Sequence, residues 1–255
     1  MAFPELDVIF TMPHPDDLEI TCGGTIAKLV KQGYRVGMCH MTIGEPTPRG
    51  SVETRTKELH AAAEILGVQH VEVIGLPNRE LMDGPTARYA VATRFRRHKP
   101  RIIVGMWGRT PAASPDHYQG QLILEASRFY SQLTKWDERF DNTEPHKIDW
   151  LWWRPSTIQA ETGHFASTFV MDTSDVQEQK IAAISCYASQ FDEARLAGVI
   201  HRINAVDAAE GGRAGFQFGE LFALPHPMPL TDAAGHFLYL KSEGARPKGY
   251  PPREG

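Results

Sequence analysis

The first 110 positions alternate between two kinds of apolar pattern. Leu6-Asp7-Val8-Ile9-Phe10-Thr11 is short and rich in β-branched residues, as a buried strand is, and Pro13 ends it. Leu18 to Gln32 then reads as a helix, with Gly33 at its C-cap. A second strand is predicted from Tyr34 to Thr42, and a loop with Gly and Pro from Ile43 to Gly50. From Val52 to Leu66 the residues Leu59, Ala62, Ala63 and Leu66 recur at helical spacing, ahead of Gly67. The alternation continues with a strand at Val71 to Leu76, a helix at Thr86 to His98 and a strand at Arg101 to Trp107. Beyond it we expect a helix from after Gln119 to about Lys135, a polar loop from Trp136 to Lys147, and strands at Ile148 to Arg154 and Phe165 to Met171. Helices at Val176 to Phe191 and Leu196 to Ala209 follow, then a tail rich in Pro and Gly with a strand-like piece at Phe237 to Leu240.

Strands alternating with helices build βαβ units. The expected fold class is therefore α/β, a Rossmann-like three-layer α/β/α arrangement with a mostly parallel sheet. Residues 1–224 are expected to form a single domain, and residues 225–255 a tail that packs on it or on a neighbouring subunit. Parallel sheets bind ligands beyond the carboxyl ends of their strands. That rule selects His14-Pro15-Asp16-Asp17 after the first strand, Gly44-Glu45 after the second and Ser114-Pro115-Asp116-His117 after the fourth.

Composition narrows the function classes. A chain of 255 residues, 42% of them hydrophobic, needs no metal to build its core, so a metal would serve chemistry. A net charge of -4 speaks against nucleic acid, and the basic stretch Arg94 to Lys99 reads as the solvated end of a helix. The three cysteines, Cys22, Cys39 and Cys186, are too far apart for a redox motif or a zinc knuckle and read as free thiols. Neither a signal peptide nor a membrane span is visible, so the expected location is cytoplasmic, with no membrane partner.

Catalytic zinc takes about three protein ligands from His and carboxylates and keeps a position for water. In the turn at 14–17, His14 and Asp17 can converge on an ion while Asp16 points at the water it activates. His117 would complete the set from a distant loop. On the four-residue turn alone, an Asp serving only as helix N-cap is an equal alternative. His40, His60, His70, His98, His146, His201 and His226 read as surface or satisfied core groups, whereas His164 is a weaker candidate to reach the site from a loop. Trp150, Trp152 and Trp153 read as core strand rather than as a sugar-stacking face. Gly23-Gly24 invites a nucleotide-binding reading, but the full Gly-x-Gly-x-x-Gly fingerprint is missing.

Several of these segments together resemble the LmbE-like, or PIG-L-type, deacetylases. They are the strand, His-Pro-Asp-Asp turn and Gly-Gly-Thr helix of Met12 to Ala27, Thr42-Ile43-Gly44-Glu45, Arg55 with Glu58, Ile74 to Leu81, Ser189-Gln190-Phe191, and Gly219 to Phe222. The resemblance spans about residues 5 to 224. It implies a hydrolase dependent on Zn2+, or another divalent metal, that removes an acetyl group from the nitrogen of a small polar substrate such as an N-acetylated amino sugar. It implies His14, Asp17 and His117 as ligands, Asp16 as base, Arg55, Glu45 and Asn78 as substrate residues, and Asp116 and Ser114 as supports behind the ligands. A homo-oligomer is also expected. Two positions depart from the family pattern: Ser114 stands where an imidazole is usual, and Asn78 where an Asp is usual. Serine cannot replace an imidazole as an acid near neutral pH, so an inactive relative or a different amidase is the alternative.

Overall fold

The computed structural model describes residues 3–110, 113–155 and 165–231; His164 and the strand-like piece at 237–240 lie outside them. Along the chain the elements are β1 (Val8–Met12), α1 (Asp17–Lys31), β2 (Val36–His40), α2 (Val52–Leu66), β3 (His70–Val73), α3 (Pro85–His98), β4 (Ile102–Trp107), α4 (Asp116–Tyr130), β5 (Trp150–Pro155), β6 (Ser167–Asp172), α5 (Gln177–Ile184), α6 (Glu193–Ala214) and β7 (Gly219–Leu224), with a 3₁₀ turn at Asp137–Phe140. The strands form a seven-stranded sheet in the order β3-β2-β1-β4-β5-β7-β6. β1 to β5 pair in parallel, and β7 runs antiparallel to both its neighbours. This is the mostly parallel α/β architecture that the alternation predicts. No helix among the described residues is long and apolar enough to cross a membrane.

β1 explains the three layers. All five of its residues are buried. Val8, Phe10 and Met12 pack with Leu18 and Ile26 of α1, Leu66 of α2 and Ile184 of α5. Ile9, pointing the other way, packs with Val91 and Phe95 of α3 and Ile123 and Leu124 of α4. Successive side chains of a strand face opposite sides, so a strand covered on both faces is apolar throughout. Two of the three tryptophans follow the core reading: Trp153 packs on Trp107, and Trp152 on Phe169 and Phe222, whereas Trp150, half-buried, joins neither core cluster. All three cysteines are free thiols.

Several bounds differ from expectation; α6, for one, runs from Glu193 to Ala214 rather than from Leu196 to Ala209. α4 starts at Asp116, so Asp116 and His117 lie on its first turn rather than on a loop. The helix expected through Phe191 stops at Ile184. There the Ser189 amide and hydroxyl donate to the Glu58 carboxylate of α2, at 2.7 and 2.6 Å, and turn the chain away. Gly219 to Phe222, recognised only as a family motif, opens β7, the strand between β5 and the edge strand β6.

β7 carries Glu220, the hub of a buried charge network. Lys180 Nζ donates to Asp207 Oδ2 at 2.7 Å and to Glu220 Oε1 at 2.8 Å, with all three side chains sealed from water. Glu220 also accepts the backbone N–H of Gly24 at 2.9 Å and of Thr25 at 2.8 Å. Arg154 Nε donates to the Thr21 carbonyl at 2.7 Å, while its Nη1 pairs with Glu210 at 2.9 Å. Helices α1, α5 and α6 are thereby fastened to β5 and β7 through the middle of α1. Removing one partner of such a pair strands an uncompensated charge, at a cost of about 3–5 kcal/mol. Lys180→Met is therefore expected to lose about 3–5 kcal/mol in urea unfolding at pH 7. The loss should be smaller at pH 5, where the orphaned carboxylates can take up a proton.

Candidate metal centre and substrate cavity

The sheet order reverses at β1: β2 lies on one side of it and β4 on the other. His14, Asp16 and Asp17 follow β1, and His117 follows β4, so both halves of the site open at the topological switch point. Gly120 on α4 permits the close fit between them, since a Cβ there would stand 2.6 Å from Pro13 Cγ.

One ligand atom each from His14, Asp17 and His117 lie within 4.8 Å of one another. His14 Nδ1 is 3.2 Å from Asp17 Oδ2, and His117 Nε2 is 3.2 Å from Asp17 Oδ1. The opposite edge of each ring is already committed. His14 Nε2 faces Asp116 Oδ2 at 3.2 Å, and that oxygen also accepts the Arg79 amide at 2.7 Å. Burial opposes ionisation of Asp116, but these hydrogen bonds hold its pKa below the usual carboxylate value. Asp116 therefore accepts, and the His14 proton sits on Nε2. The Thr110 hydroxyl donates to the Ser114 carbonyl at 3.3 Å, so at 2.9 Å it accepts from His117 Nδ1. Each neutral imidazole thus turns a lone pair toward Asp17.

This donor set fits a divalent cation. Donors around tetrahedral zinc, with bonds of about 2.0–2.1 Å, stand about 3.3 Å apart, close to the contacts seen here. A proton on each ring would serve the same electrostatic end. Burial disfavours the His14 imidazolium, yet Asp17 and Asp116 raise its pKa to about 10. Burial likewise opposes protonation of His117, and Asp17 outweighs it. Burial also opposes ionisation of Asp17, but the two imidazoles hold its pKa far below the usual range. A cation among the three would displace those protons, which couples its affinity to pH.

Asp16 occupies the helix N-cap position, but its side chain caps nothing. Its φ is 91°, in the left-handed region that non-glycine residues rarely enter. The carboxylate is turned toward Arg55, with 3.6 Å between Oδ2 and Nη1. Burial, then Asp17, raise its pKa to about 7 against the pull of Arg55. Arg55 itself is 3% exposed, donates to the Pro15 carbonyl at 3.1 Å, and leaves Nε and Nη1 without hydrogen-bond partners. Glu45 stands behind it, 3.8 Å from Nε, and accepts from the Thr47 amide and hydroxyl. Gly44, at φ 75°, passes so close that a Cβ would meet Arg55 Nη2 at 2.9 Å.

An open cavity of about 460 Å³ lies over these groups, lined also by Asn78, Arg79, Ser114, Phe191, Arg195 and Arg202. Two of the expected site residues stand outside its lining: Glu45 faces Arg55 and Thr47, and Asp116 sits behind His14. Ser114 Oγ accepts the Asp116 amide at 3.2 Å and so braces the start of α4. Thr110, Arg79, Arg195 and Arg202 carried no signal in the sequence, because single polar residues in loops or helices announce no partner. His40 is a buried neighbour rather than a ligand. Its Nδ1 meets the His14 carbonyl at 3.1 Å, and burial lowers its pKa to about 4.

The chain is similar to several known proteins. Residues 9–127 match the family model of the PIG-L GlcNAc-PI de-N-acetylases. Diacetylchitobiose deacetylase of Thermococcus kodakarensis is 31% identical over 197 residues, covering 73% of this chain and 70% of that protein. 4-Oxalmesaconate hydratase of Pseudomonas putida is 24% identical over 210 residues, 74% of this chain and 76% of its own. The crystal structure of a conserved protein from Thermus thermophilus superposes with a TM-score of 0.79 at 29% identity, covering 90% of this chain and 99% of that one.

Groups that fix a ligand's tautomer typically change metal affinity by about 10–100-fold when removed. Thr110→Val should therefore weaken Zn2+ binding by about 10–100-fold in competition with a chromophoric chelator. Affinity equal to wild type would remove Thr110 from that role.

Proposed function

The chain belongs to the PIG-L family of de-N-acetylases, and from that premise we propose that it hydrolyses the N-acetyl group of an amino sugar or amino-sugar conjugate with Zn2+ held by His14, Asp17 and His117. The observation that carries this reading is the convergence of those three residues beneath an open cavity, with the outer nitrogens of both rings already hydrogen-bonded. The bound ion would supply Lewis-acid polarisation of the amide carbonyl and lower the pKa of water. Asp16 accepts the proton of the attacking water at its carboxylate and returns it to the departing nitrogen. Asp116 and Thr110 keep the two imidazoles in ligating tautomers. Arg55, with two unpartnered nitrogens beside the cavity, orients the substrate, and Glu45 and Thr47 hold Arg55 in place. Asn78 offers an uncharged amide to the sugar hydroxyls.

Arg79 and Arg202 line the same cavity and make no ion pair among the described residues. Together with Arg195 they favour a substrate that carries an anionic group as well as the acetamide. Cytoplasmic residence and assembly into a homo-oligomer belong to this proposal too, and rest on the sequence expectations.

Zinc-loaded protein should release acetate from a panel containing N,N'-diacetylchitobiose, N-acetylglucosamine and N-acetylglucosamine 1-phosphate. Loss of a general base costs about 10²–10⁴-fold, so Asp16→Asn should lower kcat by that factor while retaining its zinc. kcat/KM should rise with pH to a plateau. A base works only when deprotonated, and a nearby cation places its pKa at or below about 7. Equal rates for Asp16→Asn and wild type would defeat the mechanism, and release of no acetate from any substrate would defeat the amino-sugar assignment.

A further inference from the structure

A second group of ligating side chains sits at the other end of the sheet. His70 and Glu72 occupy alternate positions on the edge strand β3, so they share one of its faces. His98 is the last residue of α3 and comes alongside them. One ligand atom from each lies within 4.8 Å of the others. Glu72 Oε2 is 3.9 Å from His70 Nε2 and 3.5 Å from His98 Nε2, and the two rings are 4.1 Å apart between centroids. His70 begins its strand, whereas the cavity lies beyond the carboxyl ends of β1 and β4. The two clusters are therefore separate.

The surroundings of this cluster resemble those of the first. His98 Nδ1 is 2.9 Å from the Pro4 carbonyl oxygen, which can only accept. The proton is thus on Nδ1, and the neutral ring turns its Nε2 lone pair toward Glu72. His70 Nε2 is buried and has no hydrogen-bond partner. Glu72 Oε1 is occupied by Arg94 Nε at 2.8 Å, which leaves Oε2 for the two imidazoles. A held carboxylate and a carbonyl-anchored imidazole are the outer contacts that ligating residues characteristically have. The carboxyl end of α3 adds the negative pole of a helix dipole.

We propose that His70, Glu72 and His98 form a second metal site, for a divalent transition ion of the Zn2+ class. Two imidazole nitrogens with one carboxylate oxygen suit Zn2+, Co2+ or Ni2+, and not Mg2+ or Ca2+, which take oxygen ligands. The ion would clasp three pieces of the fold: β3, the end of α3 and, through the Pro4 carbonyl, the segment leading into β1. Its role is structural.

The test is metal content of the full chain by elemental analysis after equilibration with micromolar free Zn2+. Wild type should hold two equivalents, and His70→Ala and Glu72→Gln one each, with acetate release from N,N'-diacetylchitobiose the same as wild type. In a His117→Ala background, added Zn2+ should still raise the thermal midpoint, and that rise should vanish when His70→Ala is added. The second readout is independent of activity and of the first site. One equivalent in wild type, or two equivalents kept by His70→Ala, would overturn the proposal. So would a zinc-induced stabilisation of His117→Ala that survives His70→Ala.

Discussion

Asp17 can stand between His14 and His117 only because β1 and β4 are neighbours in the sheet. The chain leaves β1 at residue 12 and reaches His117 at the start of α4, with three helices and three strands between them. The crossovers place β2 and β3 on one side of β1 and β4 on the other. A cleft opens where the order reverses, and two segments distant in sequence face each other across it. The small residue at Gly120 lets α4 settle against Pro13, so the cleft closes to hydrogen-bonding distance. The spacing of the cluster is thus a property of the sheet rather than of any single loop.

The helix that carries Asp17 is fixed from behind by charge. Thr21 O and Thr25 N are the two ends of one α-helical rung. Here Arg154 donates to the first and Glu220 accepts from the second. The approach is close: a Cβ on Gly24 would stand 2.8 Å from the Thr173 side chain and 3.0 Å from Glu220 Oε1, and one on Gly23 would be 3.0 Å from Lys180. Glycine inside a helix costs about 1 kcal/mol relative to alanine, and the space these two provide lets the buried carboxylate reach the backbone. The pair that invites a phosphate-binding reading therefore has a packing explanation. The acceptor at this turn of α1 is a side chain of the same protein, and it anchors the middle of the helix whose first turn lies beneath the cavity.

Features that leave a local signature were legible in the sequence. The apolar runs that alternate with helical spacing predicted every element through β4. α2 matched its predicted bounds because Ser51 caps one end and Gly67, at φ 76°, the other. Features made by partners distant in sequence were not legible. β7 contains Gly219 and Glu220, residues poor in strand propensity, and is buried only once β5 and β6 pair with it and α1 and α6 pack against it. Thr110 matters through one hydroxyl, and His70 and His98 look like isolated histidines until α3 folds against β3. Glu58 and the Ser189 segment were both recognised as motif residues, yet only the fold reveals that they bind each other.

Ser114 sharpens what the remaining groups must do. Its hydroxyl is used by the Asp116 amide, so the position braces the turn that presents Asp116 and His117. In the proposed reaction no imidazole stands there to protonate the departing nitrogen, and both transfers fall to Asp16. A carboxyl group at its ordinary pKa is a weak acid catalyst near neutrality because almost none of it is protonated. One whose pKa lies closer to the working pH can take a proton and give it back with little penalty either way. Burial and the proximity of Asp17 move Asp16 in that direction, against the pull of Arg55. The left-handed backbone at Asp16 aims the carboxylate away from the helix cap and toward Arg55. The strain at one residue and the missing imidazole at another thus bear on the same proton.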